Sequence, residues 1–412
     1  MTATAPPSAT DGPSVSAPYD AWATPERTAL RDAATRFTRA EIVPHLAAWE
    51  DAGEVPRDLH RRTAGAGLLG VGFPESVGGQ GGDVVDVSVL TEAVITAGGS
   101  SGLIAALFTH GIALPHLVAA HTAAPTERSA ALIDRYVRPT LAGETIGSLG
   151  VTEPGGGSDV AGLSTRAVRD GDAYVVTGGK TFITSGVRAD FVTTAVRTGA
   201  DGHGGISLLV IDKGLPGFAV QRPLRKMGWH CSDTAELAFD GVRVPAANLV
   251  GDEGSGFVLI MQQFVSERIS LAVQAYATAQ RCLDLAVAYA RERETFGRPL
   301  ASRQVIRHKL VEMHRATETA RTYTRGVVER AAALQAGASL DPIRLAADAA
   351  LAKNDAVAAC DFVVDEAVQI HGGIGYMRES EVERHYRDAR ILGIGGGATE
   401  VMNDLIAKVM GF

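Results

Sequence analysis

Apolar positions recur at helical spacing over residues 25–50, where Leu30, Ala33, Ala34, Phe37, Ile42 and Leu46 fall near one face. The same period predicts helices over 57–67, 84–97, 104–120 and 125–141, with a glycine-rich connector, GVGFPESVGGQGG, at 70–82. The first third therefore reads as nearly all helix. From residue 145 the texture changes. Short runs at 146–151, 173–177, 191–196, 206–211 and 235–239 are mostly rich in β-branched residues. Turn signals separate them: Asp170-Gly171-Asp172, Gly178-Gly179, Asp201-Gly202 and Pro216-Gly217. Strands this close together leave no room for helical crossovers, which predicts an antiparallel β-domain. Beyond Gly254 the helical period returns over 257–292, 301–336, 342–370 and 398–410, three long helices and a short one, the pattern of a four-helix bundle. The fold class expected is α+β: a disordered tail over 1–24, a helical domain over 25–144, a β-domain over 145–252 and a helical bundle over 253–412.

Composition narrows the function without naming it. The 412 residues suffice for a large core, and at 46% hydrophobic and 21% charged they are ordinary for a globular protein. A net charge of −8 argues against a general nucleic-acid or membrane-surface role. Three scattered cysteines, Cys231, Cys282 and Cys360, have no metal-ligand spacing and suit a reducing compartment. No uncharged apolar run reaches the ~18 residues of a transmembrane span. No apolar segment of the signal-peptide kind precedes Arg27, the first positive charge, so a cytoplasmic location is expected.

Four stretches carry candidate chemistry, and each has an ordinary reading when taken alone. Residues 149–159, LGVTEPGGGSD, place a hydroxyl, a carboxylate and Ser158 around a Pro-Gly-Gly-Gly loop whose backbone can approach a ligand closely. The stretch is neither G-x-G-x-x-G nor a Walker loop, and on its own it would be a surface turn. In KTFITSG, residues 180–186, Phe182 and Thr184 share one face of a strand, a ring for stacking beside a hydroxyl. A core position is the alternative for Phe182. RERETFG, residues 291–297, sets a cation and an aromatic at a helix break, able to hold a pyrophosphate and an adjoining ring, or else a solvated helix end. QIHGGIGY, residues 369–376, with Arg384, Arg387 and Asp388 behind it, contains His371, alone more readily a packed histidine than a catalytic one.

Together, and in this order, the stretches resemble the acyl-CoA dehydrogenase family. The likeness covers residues 25–412. GVTEPGGGSDVAG is similar to the first family signature and QIHGGIGYMRESEVERHYRD to the second. The resemblance implies FAD bound between the β-domain and the bundle, an acyl-CoA substrate, a homotetramer or homodimer whose second subunit completes the site, and an electron-transfer flavoprotein as acceptor. It also implies a place in fatty acid metabolism. By family pattern Leu149, Val151, Thr152, Phe182 and Thr184 flank the isoalloxazine, with Phe182 standing where many members have Trp. Ser158 lies on the β-domain side of the flavin–thioester site. Arg293, Phe296 and Gln304 correspond to the pyrophosphate and adenosine side, as do Gln369, Gly372 and Gly373 from a second subunit, and Ala398-Thr399-Glu400 to the C-terminal flavin contact.

One departure matters. The reaction of the family removes an α proton and delivers a β hydride to flavin N5, which requires a carboxylate over the α carbon and donors to the thioester oxygen. Many members carry that Glu before the C-terminal turn, where this chain has Gly396 in IGGGATE, residues 394–400. An isovaleryl- and long-chain-like subgroup places it on the first bundle helix, and the match there, FVSER at 264–268, puts Glu267 at the alternative base position with Val265, Ser266 and Arg268 around the substrate. Gly396 and Gly397 then offer backbone to the thioester carbonyl. Two other readings stand beside this one. A flavin oxidase or monooxygenase on the same fold would consume oxygen, and a non-catalytic acyl-CoA-binding paralogue would lack yellow colour. In WHCSDT, residues 229–234, Ser and Thr are expected to serve an interface or turn, with Trp229 and His230 in turn packing.

Overall fold

The computed structural model describes residues 22–412. The tail expected over 1–24 lies outside the described residues up to residue 21. Its end is packed: Trp22 is buried beneath the Arg325 guanidinium, 4.3 Å from the ring centroid, and donates through Nε1 to Glu329 at 2.9 Å. Pro25–Phe37 opens the helical region with Thr24 as cap, its hydroxyl accepting from the Arg27 N–H. The single helix expected over 25–50 is divided into Pro25–Phe37, a wider turn Thr38–Ile42 and Leu46–Ala52, with Pro44, which has no N–H to donate, in the gap. The helix expected over 104–120 divides in the same way, into Ser101–Leu107, His110–Ala113 and Pro115–Ala123. So does that over 125–141, into Glu127–Leu132, Ile133–Val137 and Arg138–Leu141.

The sheet contains β1 (Gly147–Gly150), β2 (Arg166–Asp170), β3 (Ala173–Thr184), β4 (Phe191–Arg197), β5 (Ile206–Asp212), β6 (Phe218–Pro223), β7 (Thr234–Pro245) and β8 (Leu249–Val250). Its order is β6-β7-β3-β2-β4-β5-β8, with β1 beside β4. The sheet is mainly antiparallel, as expected, but two of its pairings are parallel. β1 runs parallel to β4 from Gly147↔Phe191 to Gly150↔Thr194, and β2 meets β4 in parallel at Arg166↔Arg197. The β2–β3 hairpin lies between β1 and β4 in sequence and itself supplies the crossover. β4 and β5 are buried almost throughout, so they read as apolar runs; β2 and β6 are largely solvated and were not visible in the pattern.

Beyond the sheet run the opening bundle helix Gly256–Glu292, then Gln304–Gln335, Pro342–His371, the short Glu381–Ala389 and the C-terminal Thr399–Met410. Two cores meet on the opening helix. Its middle, through Ala272, Tyr276 and Ala279, packs with Leu90 and Val94 of the helix Val84–Thr96 and with the rest of the bundle. Glu92 bridges these parts, accepting from Tyr276 at 2.5 Å and from Arg325 at 2.8 Å. Its first turns, Phe257, Ile260 and Phe264, pack instead with Leu117, Tyr136, Phe191 and Leu208, between N-terminal helices and sheet. Residues 260–267 therefore sit where all three regions meet.

Candidate functional site

A narrow cleft opens at that junction, lined by Gly111, Ile112, His116, Leu149, Gln263, Phe264 and Glu267. Leu149 arrives on β1. Gln263 and Glu267 are one helical turn apart and share a face of the opening helix. The neighbours Ser266 and Arg268 lie about 100° to either side of Glu267 at 3.6 residues per turn. Ser266 is exposed and Val265 half-buried, while Arg268 is buried with its guanidinium over the Phe264 ring at 5.5 Å and its Nε without a partner.

Burial pushes the Glu267 carboxyl above its ordinary pKa, and the Arg268 and Lys353 charges draw it partly back. Lys353 is fully buried in the third bundle helix and donates from Nζ to the Gly397 carbonyl at 2.5 Å. Burial and Arg268 lower its own pKa to about 8, with Glu267 opposing. Gly396 faces the same carboxylate. Its φ is +63°, and a Cβ there would stand 3.4 Å from Glu267 Oε1 and overlap Leu271 Cδ1. A side chain at 396 and the carboxylate of 267 would compete for one space. Gly397, with φ +103°, has Met402 where a Cβ would go. The turn continues into a half-buried Ala398, Thr399, whose carbonyl accepts from Asn354 at 3.0 Å, and an exposed Glu400.

The loop after β1 is fixed from beneath. Glu153 accepts from Lys180 Nζ at 2.7 Å, from the Ser164 N–H and hydroxyl, and from the Thr165 N–H. Burial works against the Glu153 charge, but Lys180 and these donors hold its pKa at about 2. Lys180 also donates to the Val151 carbonyl, and the Thr181 N–H donates to that of Thr152. Val151 and Thr152 are half-buried, and Ser158 is exposed on the glycine run. On β3, Thr181 and Ile183 turn inward while Phe182 and Thr184 lie on the open face, Phe182 69% exposed at a bulge and with φ +60°. A large ring held in a left-handed conformation and left open to solvent is costly in isolation.

A second group of residues lies elsewhere. About 26 residues of helix, roughly 39 Å at 1.5 Å each, separate Glu267 from Arg293. Arg293 and Gln304 are exposed, Phe296 is 96% exposed with Arg303 5.3 Å from its ring centre, and Arg293 makes no ion pair among the described residues. Gln369, Gly372 and Gly373 stand at the same end of the bundle. His371 between them stacks on Tyr289 at 4.4 Å and bonds the Ala367 carbonyl, so it is packed. Nothing lies within 4 Å of where a Cβ would be at Gly372 or Gly373. One chain thus presents two open half-sites at separate places. An exposed ring beside a glycine loop at one, and an exposed cation, ring and bare glycines at the other, fit the flat and the anionic portions of FAD respectively.

Sequence reasoning missed Gly111, Ile112, His116 and Gln263 as cleft walls, and Lys353. The one signal for Lys353 is a lone cation inside the alanine-rich run LAADAALAKNDAVAAC. Trp229 donates from Nε1 to Ser101 and from its N–H to Asp388, and the Cys231 N–H donates to Glu50, so WHCSDT joins the three regions. Thr234 accepts from Lys226 at 2.9 Å. Among the described residues no cluster of His, Cys, Asp or Glu could hold a metal ion, and no single helix is long and apolar enough to cross a membrane.

Comparison with known proteins agrees with this geometry. Residues 24–129, 148–242 and 254–411 match the models of the N-terminal, middle and C-terminal domains of acyl-CoA dehydrogenase. A probable acyl-CoA dehydrogenase of Bacillus subtilis is 37% identical over 93% of this chain and 98% of its own length. The mitochondrial long-chain specific acyl-CoA dehydrogenase of Sus scrofa is 34% identical over 93% and 86%. Among solved structures, a probable acyl-CoA dehydrogenase of Mycobacterium abscessus superposes with TM-score 0.90 at 66% identity, covering 95% of this chain and all of that one. Sheet, bundle, cleft and relatives converge: the chain is an enzyme of the acyl-CoA dehydrogenase family.

Proposed function

We propose that this enzyme is an FAD-dependent dehydrogenase that oxidises an acyl-CoA thioester to its trans-2-enoyl-CoA, with Glu267 as the base. The observation that carries the reading is the bare Gly396 beside the carboxylate of Glu267, a residue that lines the cleft. FAD, when bound, supplies the acceptor for the β hydride. The protein's part is to seat the thioester and take the α proton. Glu267 Oε receives that proton. Burial raises the pKa of the carboxyl and so makes it a stronger base, and the nearby Arg268 and Lys353 charges oppose that shift. The Gly396 N–H is available to the thioester oxygen, where a bond to the developing enolate lowers the α-proton barrier. Lys353 fixes the turn that presents it, through the Gly397 carbonyl. Leu149 and Phe264 close the cleft with apolar surface that excludes water.

On this reading Val151, Thr152, Ser158, Phe182, Thr184 and the 398–400 turn bind one face of the cofactor. Arg293, Phe296, Gln304, Gln369, Gly372 and Gly373 bind its anionic half from a second copy of the chain, a reading supported by the roughly 39 Å of helix between Glu267 and Arg293. The three domains are 25–144, 145–252 and 253–412, and an electron-transfer flavoprotein would be the partner that accepts the electrons. The test is Glu267→Gln. The variant should retain FAD and its yellow colour while losing anaerobic bleaching by every acyl-CoA, a fall of at least about 10³-fold for loss of an essential base. Retained bleaching excludes Glu267, and oxygen uptake matching wild-type turnover identifies an oxidase.

A further inference from the structure

The cleft contains polar groups that this proton transfer does not use. His116, in the helix Pro115–Ala123, is 1% exposed, and its Nδ1 has no hydrogen-bond partner. Burial lowers its pKa to about 4 against a hydrogen bond between the ring and the Ala113 backbone, so near pH 7 the ring is neutral and has one nitrogen left for another partner. Gln263 lines the same cleft one helical turn before Glu267, and its amide has no side-chain hydrogen bond among the described residues. The other walls, apart from Glu267, are the backbone of Gly111 and the apolar Ile112, Leu149 and Phe264. A buried polar atom left unsatisfied in a native fold needs an account, and a ligand atom that pairs with it is one.

We propose that His116 and Gln263 form a polar subsite for the acyl group, and that the preferred substrates are acyl-CoA thioesters carrying a hydrogen-bonding substituent, a hydroxyl or a keto oxygen, beyond the β carbon. The inference rests on Glu267 as base, since that residue fixes where the α carbon lies. One helical turn, about 5.4 Å, separates Gln263 from Glu267, which places the substituent a few carbons further along the chain. An unsubstituted chain would drive water from the cleft and leave that imidazole nitrogen and the amide unpaired. A site that bonds a polar group discriminates strongly against the analogue lacking it.

The experiment uses matched acyl-CoA pairs of equal length, with and without a hydroxyl or keto group at the γ, δ or ε carbon. Anaerobic single-turnover bleaching is measured for the wild type, and calorimetric binding of the same pairs for the Glu267→Gln protein, which does not turn over. The substituted member should be preferred at least about tenfold at one position in both measurements. His116→Leu should bring that ratio towards one, and His116→Gln should restore part of it. Equal wild-type ratios at all three positions, or a ratio unmoved by His116→Leu, overturn the proposal. Should His116→Leu fail to fold, Gln263→Leu is read in its place, with the same two outcomes. Preference in binding without any bleaching removes the base assignment and leaves the subsite standing; bleaching without preference does the reverse.

Discussion

Gly396 is as informative as Glu267. Its φ of +63° favours glycine, and the space beside it belongs to the Leu271 side chain and the Glu267 carboxylate. A carboxylate cannot occupy both positions without strain and like-charge repulsion, so the absence of one at 396 is the steric condition for the other at 267. What tunes Glu267 is equally local. Burial raises its pKa, and Arg268 and then Lys353 lower it. Lys353→Met removes one of those charges. The Glu267 pKa should rise, and because the base acts only when ionised, the acid limb of kcat/KM should move to higher pH. Loss of the Gly397 contact alone would depress the rate at every pH and leave the limb in place, so the pH profile of flavin bleaching separates the two roles. That Glu267 is the candidate base came from the resemblance of FVSER and its spacing to Arg293, and the structure shows the residue lining the cleft beside Gly396. Lys353 and His116 were not, since a buried lysine and a buried histidine acquire their neighbours only from elements distant along the chain.

Among the elements, β3 does most to shape the site, and its buried Lys180 decides how firmly. The ammonium is fully buried and the Glu153 side chain 7% exposed, so each depends on the other for charge compensation. Glu153→Gln should leave the lysine uncompensated and cost about 3 kcal/mol or more, measured by denaturant unfolding. Loosening of the 149–159 loop should accompany it as weaker FAD retention. The sign of the pH dependence follows from the Glu153 pKa, depressed from 4.5 to about 2. Its stabilising contribution is complete above 4.5 and is lost as pH falls through about 2, so wild-type stability should drop across that window and the variant's should drop less. Periodicity revealed β3, β4, β5 and β7 because each buries a face. It missed β2 and β6, whose side chains are mostly solvated, and it carried three N-terminal helices across gaps or wider turns at Pro44, Pro115 and Pro139. The parallel β1–β4 pairing was illegible for a different reason: proximity along the chain argued for hairpins, and nothing in residues 147–150 names a partner some forty residues on.

At the scale of the whole molecule, the opening bundle helix is both the link and the spacer. It presents Glu267 near its start and hands the chain to Arg293 at its end, roughly 39 Å away at 1.5 Å per residue. On the proposed reading, a single FAD that touches Phe182 of one copy takes Arg293 from a second, each copy giving its sheet face to one cofactor and its bundle end to another. Symmetric pairing of this kind makes a prediction that a one-chain site does not. Glu267→Gln destroys the proton acceptor, and Arg293→Ala with Phe296→Ala destroys the anionic half-site, so either variant alone should be inactive. In a mixed oligomer one of the two sites combines an intact Glu267 from one chain with an intact Arg293 and Phe296 from the other, while its twin carries both lesions. With random assortment of equal amounts, half the pairs are mixed and half their sites are whole, so activity should return to about a quarter of wild type. Unfolding and refolding the variants together, with FAD present, supplies the assortment, and separately refolded proteins mixed afterwards provide the control. Recovery near that fraction requires a shared site; no recovery, with mixed pairs demonstrated by affinity tags on the two variants, would place Glu267 and Arg293 of the same chain in one site and remove the second copy from the cofactor.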